Sequence, residues 1–164
     1  MPMPSPLAEI GLAVGELLKA RKQTVAVSES SAGGLINAAL VAVPGASAYY
    51  LGGAIVYTGI SRLELLRIEK EEMKGIRSAS EPYAQLAARR IRERLGATWG
   101  LAETGASGPT GNRYGDAPGH ACLAVSGPLE AALTLETGSA DREANMQHFA
   151  IRALELLESC LRKS

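Results

Sequence analysis

The stretch Val25-Ala26-Val27-Ser28-Glu29-Ser30-Ser31-Ala32-Gly33-Gly34-Leu35 joins an apolar run to the start of a helical pattern. Its first residues are small and partly β-branched, which is typical of a buried strand. Helical spacing of apolar residues resumes at Gly33 and continues until Val43-Pro44-Gly45 ends it. A strand that turns directly into a helix is the building unit of a layered α/β domain, so this turn decides the fold class.

The rest of the chain repeats the alternation of helices and strands. Apolar spacing predicts helices over residues 6–22, 33–43, 60–66, 81–95 and 141–161. Short apolar or β-branched runs predict strands over residues 24–28, 53–57, 99–104, 120–126 and 131–137. The last two strands are joined at Gly127-Pro128 and predict a hairpin, hence a mixed sheet. We therefore expect residues 1–164 to form a single three-layer α/β domain with helices on both faces of a mixed sheet, and residues 1–6 to be a flexible tail.

Composition narrows the class of protein. The chain has 164 residues, 46% of them hydrophobic, and 17 basic residues balance 17 acidic ones. This balance predicts neither a nucleic-acid partner nor a membrane surface. No run reaches the roughly 18 apolar residues of a membrane span, and the first residues lack a signal pattern, so we expect a cytoplasmic protein. Cys122 and Cys160 lie in apolar segments without metal-ligand spacing, which predicts reduced, buried thiols and no metal.

The turn after the first strand carries the first chemical hypothesis. A serine between a strand and a helix places its hydroxyl near the helix N-terminus, where free N–H groups stabilise an anion. Gly33 and Gly34 lack side chains, so a ligand could approach the backbone closely. The alternative is that Ser28, Ser30 and Ser31 only cap the helix, with Glu29 completing the cap.

A second glycine-rich segment, residues 105–119, follows the predicted strand 99–104. Ligands of open α/β sheets collect beyond the carboxyl ends of the strands, so the two loops could line one cleft. Neither loop matches a P-loop or a G-x-G-x-x-G fingerprint, so motifs do not indicate a nucleoside triphosphate or a dinucleotide.

These residues carry a resemblance to a known family. The run Ser28-Glu29-Ser30-Ser31-Ala32-Gly33-Gly34 resembles the A-E-S-C-T-G-G signature of the CinA C-terminal domain family, the nicotinamide-nucleotide amidases. Further blocks follow in family order: residues 43–47 resemble V-P-G-S-S, 53–58 G-x-V-x-Y-S, 104–109 T-G-I-A-G-P, 117–119 the end of K-P-V-G, and 141–142 the end of G-D-R.

The resemblance implies a reaction and a set of residues. It implies hydrolysis of the carboxamide of nicotinamide mononucleotide to nicotinic acid mononucleotide and ammonia, without a cofactor. Ser30 falls on the family's nucleophile, and the backbone amides of residues 31–34 would form an oxyanion hole. Tyr57 would lie beside the serine. The substrate, a small-molecule nucleotide, would contact the following residues: Ser31, Gly33, Gly34, Thr104, Gly105, Gly108 and Arg142.

One departure from the family bears directly on catalysis. The family's activating lysine is replaced by Arg62. A guanidinium stays protonated, so Arg62 cannot be the general base. Arg62 could hold a phosphate or favour the phenolate form of Tyr57, which then becomes the candidate proton acceptor. A catalytically silent domain that binds a nucleotide-like ligand or a protein partner is the alternative function.

Several residues have simpler interpretations, and these stay open at the sequence level. Arg142 could form an ordinary surface ion pair, and Thr104 could bond the backbone at a strand end. Glu29 could be a helix N-terminal charge, and Glu103 a solvated strand residue. His120 and His148 have no partners at catalytic spacing and are left out of the site. We also expect a homo-oligomer, with a dimer favoured, because an apolar surface is predicted from these residues: Ala38, Leu40, Val41, Tyr49 and Tyr50.

Overall fold

The computed structural model describes residues 2–164 and contains one five-stranded sheet with the strand order β2-β1-β3-β4-β5. The strands are β1 (Val25–Glu29), β2 (Tyr50–Ile55), β3 (Trp99–Ala106), β4 (His120–Ser126) and β5 (Ala131–Glu136). The helices are α1 (Pro6–Arg21), α2 (Leu35–Val41), α3 (Gly59–Leu66), α4 (Glu81–Leu95) and α5 (Arg142–Lys163). Short 3₁₀ turns cover Ala46–Ala48 and Lys70–Met73.

The sheet is mixed, as the sequence predicted. β1 pairs in parallel with both β2 and β3, whereas β3–β4 and β4–β5 are antiparallel. The carboxyl ends of β1, β2, β3 and β5 consequently meet at one edge. We call this the carboxyl edge of the sheet.

Two apolar cores lie on the two faces of the sheet and confirm the three-layer α/β arrangement. On one face α1, α2 and α5 cover Leu101, Leu123 and Val125 of the central strands. On the other face α4 covers Ala102 and Ala124. Successive residues of β3 and β4 therefore point into different cores, as strand geometry requires.

The N-terminus differs from the predicted tail of residues 1–6. Residue 1 lies outside the described residues, and residues 2–4 have no regular structure. Helix α1 already begins at Pro6, and Ser5 is its N-cap, because the Ser5 side chain accepts a hydrogen bond from the Ala8 amide at 3.2 Å. A serine cap followed by proline is a strong helix start, which explains the shorter irregular segment.

Part of the predicted apolar surface belongs to the core instead. Leu40 and Tyr49 are fully buried, and the Tyr49 hydroxyl donates to the Leu40 carbonyl oxygen. Ala38 and Val41 are exposed, and Tyr50 is half-buried. Among residues 2–164, no helix combines the length and apolarity needed to cross a membrane.

Candidate active site

The turn between β1 and α2 holds Ser30 at the carboxyl edge. Gly33 and Gly34 have φ angles of +69° and +106°, which L side chains rarely adopt, and Gly34 is the N-cap of α2. A Cβ on Gly33 would come within 2.7 Å of the Met146 methyl carbon, so α5 passes close above the turn. The glycine pair thus serves both the sharp turn and the packing of α5.

Two buried carboxylates, rather than serines, satisfy the amides of this turn. Glu29 accepts hydrogen bonds from the amides of Gly34 at 2.9 Å, Ile36 at 3.2 Å and Asn37 at 2.8 Å, and from the Asn37 side chain at 2.6 Å. Its interpretation as a helix N-terminal charge therefore agrees with the geometry. The three serines of the turn make no cap of α2.

Glu103 of β3 is the second carboxylate. Its Oε1 atom accepts hydrogen bonds from the Ser30 amide at 2.9 Å and from the Ala32 amide at 2.8 Å, while its Oε2 atom accepts one from the Ser31 hydroxyl. Its relative exposure is 2%, so the interpretation as a solvated strand residue is wrong. A buried carboxylate is stable only when paired or hydrogen-bonded, and the turn supplies those bonds.

The environment of Glu103 changes its acidity. Burial raises its pKa from the ordinary 4.5 to about 7, although the hydrogen bonds from Ser31, Ala32 and Ser30 act in the opposite direction. The charge of Glu29 adds to the increase. Glu103 can therefore gain or lose a proton near neutral pH. A charged residue at the end of the otherwise apolar run Trp99–Ala102 was the sequence signal for this group.

Most amides expected to form an oxyanion hole are already engaged. The Ala32 amide donates to Glu103, the Gly33 amide to the Ser30 carbonyl oxygen at 3.0 Å, and the Gly34 amide to Glu29. Within residues 2–164 the Ser31 amide has no acceptor, and the Ser30 hydroxyl makes no hydrogen bond. The turn therefore leaves one free amide next to one free, half-buried hydroxyl.

Tyr57 and Arg142 meet at the same edge. Arg142 is the first residue of α5, and its guanidinium donates to the Tyr57 hydroxyl at 3.0 Å and to the Gly108 carbonyl oxygen. No carboxylate among the described residues pairs with Arg142, so the simpler interpretation as a surface ion pair does not hold. Tyr57 is 60% exposed and remains open to a ligand.

Arg62 lies with a different set of residues. Its guanidinium donates to the Ser78 hydroxyl at 3.2 Å and lies over the Tyr83 ring, 5.6 Å from the ring centre. Tyr57 receives its hydrogen bond from Arg142 instead. The two residues that the sequence placed together thus have different partners.

Thr104, Gly105 and Gly108 carry the second loop towards the turn. The Thr104 hydroxyl accepts a hydrogen bond from the Ala79 amide at 3.3 Å, which agrees with its simpler, structural interpretation. A Cβ on Gly105 would lie 2.3 Å from the His120 carbonyl oxygen. A Cβ on Gly108, at a φ of +107°, would lie 2.8 Å from the Ala140 carbonyl oxygen. Both glycines are needed for close packing of the backbone.

His120 has partners that the sequence did not reveal. Its Nδ1 atom lies 2.5 Å from the Glu136 carboxylate, and its Nε2 atom lies 2.8 Å from the Ala79 carbonyl oxygen. Burial lowers its pKa, but Glu136, the Ala79 carbonyl and Asp116 outweigh that effect, so that the pKa lies above the ordinary 6.5. Both ring nitrogens face acceptors, which favours the doubly protonated ring. The described residues contain no group of three His, Cys, Asp or Glu side chains suited to a metal ion.

An open groove of about 420 Å³ lies between the turn and α5. It is lined by Leu35, Glu143, Ala144, Met146 and Gln147. Because Met146 contacts Gly33, this groove adjoins the turn that carries Ser30.

Comparison with known proteins shows which family the chain resembles. The family model of the CinA C-terminal domain matches residues 7–161. A CinA-like protein of Parasynechococcus marenigrum is 39% identical over 153 residues, covering 92% of this chain and 36% of the relative. A CinA-like protein of Chlorobium limicola is 35% identical over 147 residues, covering 86% of this chain and 34% of the relative. The chain thus spans about a third of the length of these relatives.

Solved structures share the fold. A CinA superfamily protein of Klebsiella pneumoniae superimposes with a TM-score of 0.90 at 24% identity, covering 96% of this chain and 99% of the other. The competence/damage inducible protein CihA of Agrobacterium tumefaciens gives a TM-score of 0.89 at 24% identity, covering 99% of both chains. At this identity the similarity concerns the fold alone.

Proposed function

Because this chain belongs to the CinA C-terminal domain family, we propose that it hydrolyses the carboxamide of nicotinamide mononucleotide to nicotinic acid mononucleotide and ammonia, with Ser30 as the nucleophile. The observation that carries the proposal is the isolated hydroxyl of Ser30. Its neighbours in the turn are fixed by Glu29 and Glu103, whereas the Ser30 hydroxyl is unengaged and half-buried at the carboxyl edge.

In this reaction Ser30 Oγ adds to the carboxamide carbon, ammonia leaves, and water hydrolyses the resulting ester. The free Ser31 amide is the donor available to the oxyanion that forms in the first step. Arg142 lacks a carboxylate partner and can hold the anionic phosphate of the nucleotide through two donors. Tyr57, held by Arg142, would contact the same ligand.

The proton acceptor cannot be Arg62, because a guanidinium has no free lone pair at neutral pH. Tyr57 is the acceptor suggested by the sequence, and Glu103 is a second candidate at the same edge. Replacement of the family lysine is also the observation that favours the second candidate function, a silent domain that binds a nucleotide-like ligand. In that case binding would persist without turnover.

Ammonia release from nicotinamide mononucleotide by the purified protein separates these two functions. We expect wild-type protein to release ammonia and Ser30→Ala to release none while keeping its fold. Ser126→Ala is the matched control, since Ser126 is a buried serine at the opposite end of the sheet. We expect Arg62→Lys to increase the rate. Binding of the nucleotide without ammonia release, in wild type and in Arg62→Lys, would replace the amidase with the binding domain.

A further inference from the structure

Glu103 divides its two carboxylate oxygens between two tasks. Oε1 accepts hydrogen bonds from the backbone amides of Ser30 and Ala32, which do not give up their protons. Oε2 accepts a hydrogen bond only from the Ser31 hydroxyl, whose proton can be transferred. The carboxylate is therefore fixed by one oxygen and available for proton transfer at the other.

Glu29 provides an internal comparison at the same turn. It is equally buried, but all of its donors are backbone amides and the Asn37 amide group. A carboxylate that accepts hydrogen bonds only from amide groups can stabilise the start of α2, but it has no hydroxyl through which to exchange a proton. Of these two carboxylates, Glu103 alone is linked to a hydroxyl next to Ser30.

We propose that Ser31 and Glu103 together accept the proton of the Ser30 hydroxyl during nucleophilic attack. Ser30 Oγ forms a bond to the carboxamide carbon and gives its proton to Ser31 Oγ, while the Ser31 proton moves to Glu103 Oε2. When the tetrahedral intermediate collapses, Glu103 Oε2 returns the proton to Ser31 Oγ, and Ser31 Oγ gives its own proton to the leaving nitrogen, which departs as ammonia. Glu103 acts through Ser31 and is thus a positioning residue. This inference rests on the proposed amidase function.

The relay needs the Ser30 side chain to turn its hydroxyl towards Ser31. No hydrogen bond holds that hydroxyl elsewhere among the described residues. Ser31 has a relative exposure of 5%, which keeps bulk water away from the link between Ser31 and Glu103. A short path that excludes water suits a proton transfer coupled to attack on a poorly electrophilic amide.

The surroundings of Glu103 place its titration in the useful range. Its pKa of about 7 means that the base form is well populated at neutral pH. From β1, Glu29 is the charged group that faces it. On β4 the residue opposite Glu103 is the apolar Leu123, and α2 contains no ionisable residue. The buried side of α5 carries one ionisable group, Cys160, near the far end of that helix.

The first test compares pH profiles with nicotinamide mononucleotide as substrate. For wild type we expect kcat to rise through an inflection near pH 7, because Glu103 must be ionised to accept the proton. Glu103→Gln keeps an oxygen for the two amides but cannot take a proton. We expect it to lower kcat by about 100-fold, with KM nearly unchanged and the inflection lost.

Ser31→Ala breaks the relay while the Glu103 carboxylate keeps its bonds from the Ser30 and Ala32 amides, and it should give the same loss. Ser31→Thr, which retains a hydroxyl, should restore most of the rate. Tyr57→Phe should keep the inflection near pH 7. Ser126→Ala is again the control, and circular dichroism verifies that each variant is folded. If Glu103→Gln does not fold, Ser31→Ala and Ser31→Thr decide the question. A folded Ser31→Ala with wild-type kcat and an unchanged inflection would overturn the relay and leave the amidase intact.

The second test needs no substrate turnover. Phenylmethylsulfonyl fluoride forms a sulfonate ester with an activated serine and releases fluoride and a proton, and intact mass spectrometry counts the adduct. We expect labelling of wild type, none of Ser30→Ala, and labelling slowed by about 100-fold in Glu103→Gln and Ser31→Ala. Relay-dependent labelling without hydrolysis of the nucleotide would refute the amidase but keep the relay. A folded wild type that is neither labelled nor active would refute both.

Discussion

Arg142 donates a hydrogen bond to the hydroxyl of Tyr57 at 3.0 Å, although 85 positions separate the two residues. The same guanidinium also binds the Gly108 carbonyl oxygen. Arg142 therefore joins the start of α5, the segment after β2 and the loop after β3 at the carboxyl edge. Its position requires the whole topology, because these segments are distant in sequence and adjacent only when the sheet is formed.

Arg142→Ala should weaken substrate binding more than it slows chemistry. Losing a charge-assisted contact to the nucleotide phosphate should raise KM for nicotinamide mononucleotide by about 10-fold or more, with a smaller effect on kcat. Arg152→Ala is the matched control, since Arg152 lies on the same helix and pairs with Glu155 on the surface. Equal KM values for the two variants, measured by steady-state kinetics, would contradict a binding role for Arg142.

Glu103→Gln should stabilise the protein at alkaline pH. Below about pH 4.5 Glu103 is protonated in both the folded and the unfolded chain. Between pH 4.5 and about 7 the unfolded chain loses the proton while the folded chain keeps it, so the wild type loses stability relative to the variant as the pH rises. The difference amounts to about 3 kcal/mol and stays constant above pH 7. Urea unfolding of both proteins at about pH 5, 6, 7 and 8 measures this difference in the free energy of unfolding. A difference that does not grow with pH would refute the burial-driven shift.

His120 should stabilise the fold in a different pH range. Its pKa is raised in the folded state, so its contribution is complete below the ordinary value of 6.5 and is lost as pH rises through the higher folded value. His120→Gln should therefore be more destabilising at about pH 6, where the folded protein keeps the His120 proton, than at about pH 9, where it has lost that proton. His148→Gln, at an exposed position of α5, is the matched control for the loss of an imidazole. A constant destabilisation by His120→Gln would mean that the ring is neutral in the folded protein.

Self-association remains a prediction, but the exposed apolar side chains lie on a different surface from the one predicted from the sequence. The edge strand β2 exposes Leu51 and Ile55, and α3, which follows β2 in the chain, exposes Ile60 and Leu63. An unpaired edge with apolar side chains is suited to contact with a second copy. We expect a dimer by light scattering at micromolar concentration, and a monomer for Ile55→Glu. A monomeric wild type would contradict the expectation.

The local patterns of the sequence predicted most of the fold. The bounds of α4 and β4 agree residue for residue with the predicted segments 81–95 and 120–126, because caps and turn residues mark their ends. Strand β2 starts three residues before the predicted segment 53–57. The register shifts there, with Val25 opposite Tyr50 but Ala26 opposite Gly52, and Gly52 has a φ of +149°. This irregularity hides the strand from a pattern of simple alternation.

The candidate site could be predicted only in part. Ser30, Tyr57 and Arg142 follow from family motifs and lie at one edge of the sheet. The role of Glu103 depends on amides and a hydroxyl 71 to 73 positions away, which no local pattern reveals. The same holds for the free Ser31 amide, since its neighbours are engaged by two carboxylates whose positions are set by the tertiary fold.

The isotopic composition of the product tests the amidase most directly. The protein is incubated with nicotinamide mononucleotide in water enriched in oxygen-18, and the nucleotide is analysed by mass spectrometry. We expect wild type to form nicotinic acid mononucleotide that carries a single heavy oxygen in its carboxyl group, and Ser30→Ala to form none. Recovery of unchanged nicotinamide mononucleotide from wild type would contradict the amidase activity, and formation of the acid at the same rate by Ser30→Ala would contradict the role of Ser30 as nucleophile.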